Sequence, residues 1–396
     1  MSKKHTRAKN IVLPHSQAKL DLYKNYLLNY LRVLTLTPYC SKINLFDIYC
    51  GIGIYEDGKI GSPLITNNSI KEVNQTVTAM GKRTKPIAIF INDFEAGKIN
   101  NVKALLEKDK ALNCTYEYFN EDADKMLDLV ADKVNSFQSK ERNLIFIDPY
   151  GYSHIQRDKL YSLLKNEHTE IVLFLPVMQM YRFADIAIND PSRACYEDLR
   201  KFIFSFFPPS HKIHSDSIDN IFDFIHEIKV ALTFNQFYTC SHYIERGKGN
   251  YYGLFFITSN IYGLDKMVEA KWKLDPIKGK GFSQKQNTSQ TSMFTKHFEQ
   301  QDNKRYLDFL RTLILDELKS RGKLSNVDLY KLALVNEFKP MQAKTILIDL
   351  VAEKRIVPLD STGNRLQRID GAYMDYDHFK RKSELIFYKF SINGTV

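Results

Sequence analysis

Two short segments of this sequence each join a run of apolar residues to an acid and then to turn residues. Residues 44–53 read NLFDIYCGIG, and residues 144–151 read LIFIDPYG. Buried parallel strands of an α/β sheet read as near-continuous apolar runs, and ligands bind at their carboxyl ends. In the first segment Gly51 and Gly53 would let the backbone approach a nucleotide-like ligand closely. The second segment places a carboxylate beside an aromatic ring. We therefore predict a nucleotide cofactor and a nucleobase substrate.

Acids follow four predicted strands in succession. Asp47 ends the first and would order the glycine loop, and Asp93 ends the second, where a carboxylate can accept both ribose hydroxyls. Asp122 follows the third strand and could accept a hydrogen bond from an adenine amino group, and Asp148 ends the fourth. Because parallel strands end at one sheet edge, this series predicts an S-adenosylmethionine site. Its predicted cofactor-binding residues are Asp47, Tyr49, Gly51, Gly53, Asp93 and Asp122.

The fourth strand end carries the residues that we predict to act in catalysis. Asp148 and the backbone carbonyl of Pro149 can accept hydrogen bonds from an exocyclic amine, which leaves its lone pair aimed at a methyl group. Tyr150 can stack on a base that has been removed from its helix or presented in a loop. Methyl transfer to an amine then depends mainly on positioning. The alternative is that these residues form only a strand-to-helix turn.

Several other chemistries lack their residues. A nicotinamide fingerprint would need a third glycine where Glu56 stands, and no phosphate-binding loop sequence of the ATPase type occurs. No cysteine follows the fourth strand, which argues against a cytosine C5 transferase. The ten histidines form no metal-binding pattern, so we predict no metal. The five scattered cysteines indicate a reducing compartment, and the absence of a long apolar run or secretory signal predicts a cytoplasmic protein without a membrane span.

The net charge of +10 is concentrated in two segments. Residues 1–32 carry seven Lys or Arg against one Asp, and residues 266–296 carry seven Lys against two acids. Such basic stretches are typical of proteins that contact phosphate backbones, although lysine-rich loops also occur simply for solubility. The predicted nucleic-acid contacts here are Lys3, Lys4, Arg7, Lys278 and Lys280.

Apolar periodicity divides the chain into an arm and leading helix at 1–40, an α/β domain at 41–275, a basic polar linker at 276–303 and a domain at 304–396. Strands and helices alternate in the second segment, which predicts a Rossmann-like parallel sheet. A helical insertion is predicted at about 178–235, followed by an antiparallel strand pair.

The last domain shows three helical patterns and then a hairpin, with strands at 356–359 and 365–369. This order fits a winged helix, which would bring Arg365 and Arg368 near a phosphate backbone. The alternative is a small helical domain that docks another protein.

The sequence resembles the three-Cys-motif partner proteins, a family with a methyltransferase-like fold. The matching segments are the leading helix with Lys19, FDIYCGIG at 46–53, GSPLI at 61–65, FIDPYG at 146–151 and YYGLFF at 251–256. The resemblance spans about residues 12–275, and Cys50 stands where the family usually has alanine. It implies a class I methyltransferase sheet and a partner protein that bears three cysteines. The IDPYG segment is also similar to tRNA guanine-N2 dimethyltransferases, whereas DNA amino methyltransferases more often carry D-P-P-Y.

These features predict a methyltransferase that acts on an exocyclic base amine, with RNA slightly favoured over DNA. Two alternatives stay open. One is a catalytically silent module that binds nucleic acid or works beside a radical S-adenosylmethionine-like three-cysteine protein, with phage defence as a candidate role. The other is an adaptor that binds only its protein partner.

Overall fold

The computed structural model describes residues 11–391 except 217, 234–235, 248, 283–292 and 368–372. The described residues form two compact units. The first runs to Ser259 and includes Phe282, and the second comprises residues 260–281 and the chain from 293 onward. Helix α9 (Ile261–Leu274) therefore groups with the second unit, whereas the sequence suggested a division after residue 275. None of the described helices combines the length and apolar character that a membrane crossing requires.

The first unit is built on a mostly parallel sheet whose strand order is β3-β2-β1-β4-β5-β7-β6-β8. Strands β1 to β5 pair in parallel, and β7 is antiparallel to both β5 and β6. The predicted Rossmann-like class I methyltransferase sheet is thereby confirmed. The strands are β1 Lys42–Asp47, β2 Ile87–Asn92, β3 Cys114–Phe119, β4 Glu141–Ile147, β5 Thr169–Leu175, β6 Tyr238–Gly247, β7 Asn250–Thr258 and β8 Gly281–Phe282.

Helices connect the parallel strands and cover the sheet. The crossover helices are α2 Ser62–Ala79, α3 Ala96–Glu107, α4 Ala123–Ser136 and α5 Arg157–Leu164. The helical insertion comprises α6 Val177–Asn189, α7 Glu197–Phe206 and α8 Ile221–Leu232. Central strands are buried on both faces, with Phe46, Ile145 and Phe255 in the core. This two-sided burial explains why the strands appear in the sequence as unbroken apolar runs.

Helix α1 (Pro14–Leu36) lies along one face of the sheet. Its Tyr23 ring packs 4.2 Å from Phe146 of β4, measured between centroids, and its Tyr26 hydroxyl donates to Glu170 near the start of β5. One turn before Tyr23, Lys19 contacts Asp148 beyond the end of β4. The helix therefore runs from the carboxyl edge of the sheet towards its amino edge, with positions 15, 19, 23 and 26 on one side.

The second unit joins helices to a three-stranded antiparallel sheet of order β10-β11-β9. Its elements after α9 are α10 Met293–Arg321, β9 Lys323–Ser325, α11 Asn326–Val335, α12 Pro340–Ala352, β10 Ile356–Leu359, α13 Tyr376–Arg381 and β11 Phe387–Phe390.

The described residues contain the turn of the predicted hairpin and the first residues of its second arm. Leu359 bridges to Arg365, and the Leu366 N–H donates to the carbonyl of Pro358 at 2.9 Å, whereas residues 368 and 369 lie outside the described part of the chain. The sequence did not predict that β10 also pairs with β11, which supplies the fully buried Tyr388 and pairs in turn with β9.

The first residues of the predicted polar linker form a loop whose conformation is fixed by hydrogen bonds to one side chain. The Asp275 carboxylate accepts hydrogen bonds from the backbone N–H groups of Ile277, Lys278, Lys280 and Gly281 at 3.0 to 3.2 Å. Helix α10 begins at Met293, inside the segment that composition assigned to a linker. The polar composition of the segment did not predict this loop, because the loop depends on specific hydrogen bonds to the buried Asp275 carboxylate.

Candidate cofactor and acceptor site

The glycine loop after β1 is fixed to the end of β2 by backbone hydrogen bonds. The Cys50 N–H donates to the carbonyl of Asn92 at 2.9 Å, and the Gly51 N–H donates to Oδ2 of Asp93 at 3.1 Å. Gly51 has a φ of +66°, and a Cβ built there would have no atom within 4 Å. No side chain covers the backbone at Gly51, which borders open space, so that a ligand could approach it closely.

Gly53 has a different role from Gly51. Its φ is +81°, and a Cβ would lie 3.1 Å from side-chain atoms of both Leu105 and Val102. Its carbonyl also accepts a hydrogen bond from the Gly61 N–H. Gly53 thus closes the loop against α3, and of the two glycines only Gly51 faces free space.

Asp93 lies in the position expected for a ribose-binding carboxylate, but it also supports the loop. It is buried, and besides Gly51 it accepts a hydrogen bond from the Glu95 N–H at 3.0 Å through Oδ1. Each carboxylate oxygen has two lone pairs, so these hydrogen bonds leave one acceptor position on each oxygen. The Lys98 ammonium lies 3.6 Å from Oδ1 as an ion-pair partner. Its neighbour Asn92, which sequence reasoning missed, ties the strand ends together by donating to the carbonyls of Ile48 and Glu121.

A pocket of about 340 Å³ opens at the carboxyl ends of these strands. It brings together four of the predicted residues, Tyr49, Asp122, Pro149 and Tyr150. It also contains Phe94, whose ring is 75% exposed. The signal for Phe94 was present in the sequence as an aromatic residue directly after the strand-end acid. The remaining lining residues are Ile48, Asn92, Glu121, Ala123, Gly151, Ser153 and His154.

Asp47 is buried beneath the glycine loop rather than in the lining of this pocket. Neither of its carboxylate oxygens has a hydrogen-bond partner of ordinary geometry among the described residues. Burial raises the pKa of Asp47 to about 7, and the Ser62 hydroxyl opposes the shift although its geometry falls short of a hydrogen bond. The Tyr49 hydroxyl is also buried without a partner, and burial raises the pKa of this phenol. Unsatisfied buried polar atoms of this kind are typical of sites that receive a polar ligand.

Asp122 has a structural role that is independent of any ligand. It is the N-cap of α4, where its carboxylate accepts a hydrogen bond from the Asp124 N–H at 2.9 Å. Ligand atoms of Asp122, Asp124 and His154 lie within 4.8 Å of one another, as metal ligands can. Asp124 is already engaged, however, by the His154 ring at 3.0 Å and by the Lys159 ammonium at 3.4 Å. This cluster is accounted for by helix capping and ion pairing.

The acceptor side of the site differs from the sequence prediction in the surroundings of Asp148. The Lys19 ammonium of α1 lies 2.7 Å from Oδ1 of Asp148. Tyr150 is 79% exposed, and its hydroxyl accepts a hydrogen bond from the Lys98 ammonium at 3.0 Å. Lys98 in turn pairs with Glu95 at 2.7 Å, so the ring is tied to the end of β2.

The predicted nucleic-acid contacts are only partly covered by the structure. Lys3, Lys4, Arg7 and Arg368 lie outside the described residues. In the second unit Lys278 is half-buried, and the ammonium of Lys280 lies 4.6 Å from the centre of the Tyr306 ring. Arg365 is exposed beside the turn that follows β10.

No protein-family model matches the chain, and the comparison with curated proteins gives no match. Among solved structures, the chain is similar to the complex of Trm1 from Pyrococcus horikoshii with S-adenosyl-L-methionine. They share 15% identity over 63% of this chain and 58% of that chain, with a TM-score of 0.31. It is also similar to an O-methyltransferase from Bacillus cereus in complex with SAH, with 12% identity over 61% of this chain and 86% of that chain and a TM-score of 0.31.

A third similar structure is the bifunctional kinase-methyltransferase WbdD, with 15% identity over 61% of this chain and 39% of that chain and a TM-score of 0.31. The chain therefore spans less than two thirds of the length of both WbdD and Trm1. The assignment of the fold rests on strand order and direction, and not on these scores.

Proposed function

We propose that the first unit is an S-adenosylmethionine-dependent methyltransferase. The observation that carries this proposal is the pocket at the carboxyl ends of the strands, where the exposed Phe94 is a lining residue. Asp93 precedes Phe94 in the chain, and the Gly51 N–H donates to its carboxylate, so both adjoin the pocket although neither lines it. Ligands of open α/β sheets bind at this edge. The strand order of the sheet supports the same conclusion.

The residues present fit the parts of this cofactor. The buried Asp47 carboxylate, which has no ordinary hydrogen-bond partner, matches the ammonium of the amino-acid tail, and the remaining acceptor positions of Asp93 match the ribose hydroxyls. Phe94 would stack on the adenine ring, and Asp122 would accept from its amino group. Gly51 would allow the tail to pass close to the backbone. Asp93 thus keeps the role that the sequence suggested. Asp47, which the sequence suggested would order the glycine loop, is here assigned to the ammonium, and Phe94 is added.

We propose an exocyclic base amine as the acceptor. When bound, the cofactor supplies an electrophilic methyl group, so that an N–C bond forms as the C–S bond breaks and its electron pair returns to sulfur. Asp148 and the Pro149 carbonyl would hold the amine by accepting its hydrogen bonds, and the methylated nitrogen would then release one proton to solvent. Tyr150, exposed and tethered through Lys98, offers a stacking surface for the base.

We favour RNA over DNA as the nucleic acid. The segment at 148–150 is D-P-Y, with one proline, whereas DNA amino methyltransferases more often carry D-P-P-Y, with two. The basic residues of the arm support this proposal. Lys9 precedes His15 by six residues. The length of the chain between them therefore keeps Lys9 within about 20 Å of His15, which lies one turn before Lys19 on α1.

For the second unit we propose a winged-helix module that contacts nucleic acid. The order of helix, strand, two helices and two further strands, with a three-stranded antiparallel sheet, supports this reading. One observation favours a second candidate, which is docking of a protein such as the three-cysteine partner that the resemblance implies. The exposed side of α12 carries the apolar residues Met341 (65% exposed) and Ile348 (44% exposed) beside Lys344.

The proposal is tested by calorimetric titration with S-adenosylmethionine. We expect micromolar binding that weakens at least tenfold in Phe94→Ala, because stacking on a base is worth roughly 1–3 kcal/mol, and that returns in Phe94→Tyr. Phe94 is the sharpest target since its exposed ring can be removed without opening the core. The matched control is Phe309→Ala, which removes a ring of 51% exposure from the second unit.

Transfer is measured with tritium-labelled methyl groups on random-sequence single-stranded RNA and on DNA of the same sequence. Binding without transfer would favour the catalytically silent module. No cofactor binding by the folded protein would reject the methyltransferase altogether.

A further inference from the structure

An ion pair that the proposed chemistry leaves unexplained adjoins Pro149, a lining residue of the pocket. Lys19 of α1 and Asp148 after β4 are 129 residues apart in sequence, yet Nζ of Lys19 lies 2.7 Å from Oδ1 of Asp148. The Lys19 side chain is 10% exposed, whereas that of Asp148 is 27% exposed. The carboxylate is thus the open member of the pair, and the ammonium lies behind it.

Aromatic rings hold the ammonium in this place. Nζ of Lys19 is 4.3 Å from the centre of the Tyr252 ring and 5.1 Å from that of Phe174. His15, one turn earlier on α1, stacks on Tyr252 with ring centres 5.7 Å apart and planes inclined by 5°. Cation–π contacts strengthen when the cation is desolvated. The rings therefore hold the Lys19 ammonium in place and take up none of the acceptor positions of Asp148.

One further cation lies near the pair. Arg246 donates to the Tyr252 hydroxyl at 3.4 Å, and its charge acts on His15. Burial, together with the charges of Arg246 and Lys19, lowers the pKa of His15 to about 4 against the opposing charge of Asp148, so that this ring is neutral at physiological pH. The charge of Asp148 also acts on the buried Asp47 carboxyl group. Asp148 therefore has one ammonium in contact, and a second cation and a second carboxyl group at longer range.

We infer that Lys19 is a positioning residue of the acceptor site, which holds Oδ1 of Asp148 so that only Oδ2 meets the acceptor, and which selects a neutral amine over an alkylammonium. This inference rests on the proposed function. An unpaired carboxylate would attract a cationic amine such as a lysine side chain. Because the Lys19 ammonium offsets its charge, Asp148 instead offers a hydrogen-bond acceptor that attracts a further cation only weakly. The aromatic amine of a nucleobase is neutral and fits this site.

The test compares the full-length protein with Lys19→Met and Lys19→Arg, using random-sequence single-stranded RNA and a lysine-rich peptide as acceptors. For Lys19→Met we expect kcat on RNA to fall roughly 100-fold, the cost of misplacing a reacting group, with cofactor affinity unchanged. Lys19→Arg, which keeps a cation at this place, should retain kcat within about tenfold. Lys71→Met breaks a lysine–carboxylate pair with Asp109 outside the site and serves as the control.

The outcomes distinguish a failure of the role of Lys19 from a failure of the methyltransferase function. An active wild type whose Lys19→Met variant keeps its kcat, or whose Lys19→Arg variant fails as badly as Lys19→Met, overturns the positioning role alone. A wild type that methylates the peptide as readily as RNA overturns the charge selection. A wild type that binds cofactor but methylates neither acceptor rejects the function, and the acceptor role of Lys19 falls with it.

Discussion

Asp47 carries the residue-scale feature with the clearest chemical consequence. Its carboxyl group is buried and has no hydrogen-bond partner of ordinary geometry among the described residues, and burial raises its pKa to about 7. The unliganded protein therefore holds a carboxyl group that is partly protonated at neutral pH. A ligand that brings a positive charge to this carboxylate must favour its ionised form, so cofactor binding and proton release at Asp47 are linked.

We predict that the affinity for S-adenosylmethionine rises with pH through the raised pKa of Asp47. Below pH 7 the carboxyl group must first lose its proton, so binding should be roughly tenfold weaker at pH 6 than at pH 7.5. The measurement is calorimetric titration at the two pH values and in two buffers of different ionisation enthalpy, which reveals the released proton. In Asp47→Asn the dependence on both pH and buffer should disappear. An affinity of the wild type that does not change with pH would show that no cation pairs with Asp47.

At the scale of elements, the two glycines Gly51 and Gly53 have different roles in the loop between β1 and α2. Both have positive φ, but only Gly53 is packed against side chains of α3. Gly51 borders open space and donates its N–H to Asp93. The requirement for glycine at position 51 therefore comes from backbone conformation, with approach of the proposed cofactor as a second reason, and at position 53 from backbone conformation and packing.

We predict different results for alanine at these two positions. Gly51→Ala should cost on the order of 1 kcal/mol in the free energy of unfolding, from the left-handed conformation alone, and should weaken cofactor binding at least tenfold. Gly53→Ala adds a methyl group 3.1 Å from two side-chain atoms, so it should cost clearly more stability. Chemical denaturation and calorimetric titration of both variants measure this contrast. Equal losses of stability, with cofactor binding intact in Gly51→Ala, would contradict it.

At the scale of the whole molecule, the distribution of positive charge is suited to binding a polyanion such as nucleic acid. The net charge is +10, and the arm at residues 1–10 carries Lys3, Lys4, Arg7 and Lys9 without an acid. Neutralisation of phosphates by such residues releases counterions, so binding should depend steeply on salt. A protein that docked only a protein partner through the apolar residues of α12 would lack this dependence.

We predict that replacing the four basic residues of the arm by Gln weakens RNA binding and lowers its salt dependence. For single-stranded RNA, the slope of log affinity against log salt should fall by up to about 3 if all four contact phosphates. The measurement is fluorescence anisotropy with labelled random-sequence RNA over a range of salt concentrations. The control replaces four exposed basic residues elsewhere in the first unit, namely Lys82, Arg83, Lys108 and Lys140. If the control lowers the slope as much as the arm variant does, the arm has no special role.

The sequence by itself determined the features that depend on local pattern. Runs of apolar residues identified the buried strands, and their alternation with helices predicted the parallel sheet that the structure confirms. Acids and glycines directly after β1 and β2 were recognisable for the same reason, since a strand end and its ligand-binding residues are neighbours in the chain. Phe94 was equally visible there, next to Asp93, and its exposure in the structure is what gave it a role.

Only the tertiary structure decided what lies across from these residues. Lys19 reaches Asp148 across 129 positions because α1 crosses the sheet from its carboxyl edge, and no local pattern encodes that crossing. In the second unit β10 also pairs with β11, which the local hairpin pattern did not predict, because strand pairing depends on which distant segment can bury its side chains there. Sequence periodicity specifies which face of an element is apolar, whereas the partner of that face, and the ionic environment of a residue such as Asp148, are set by long-range packing.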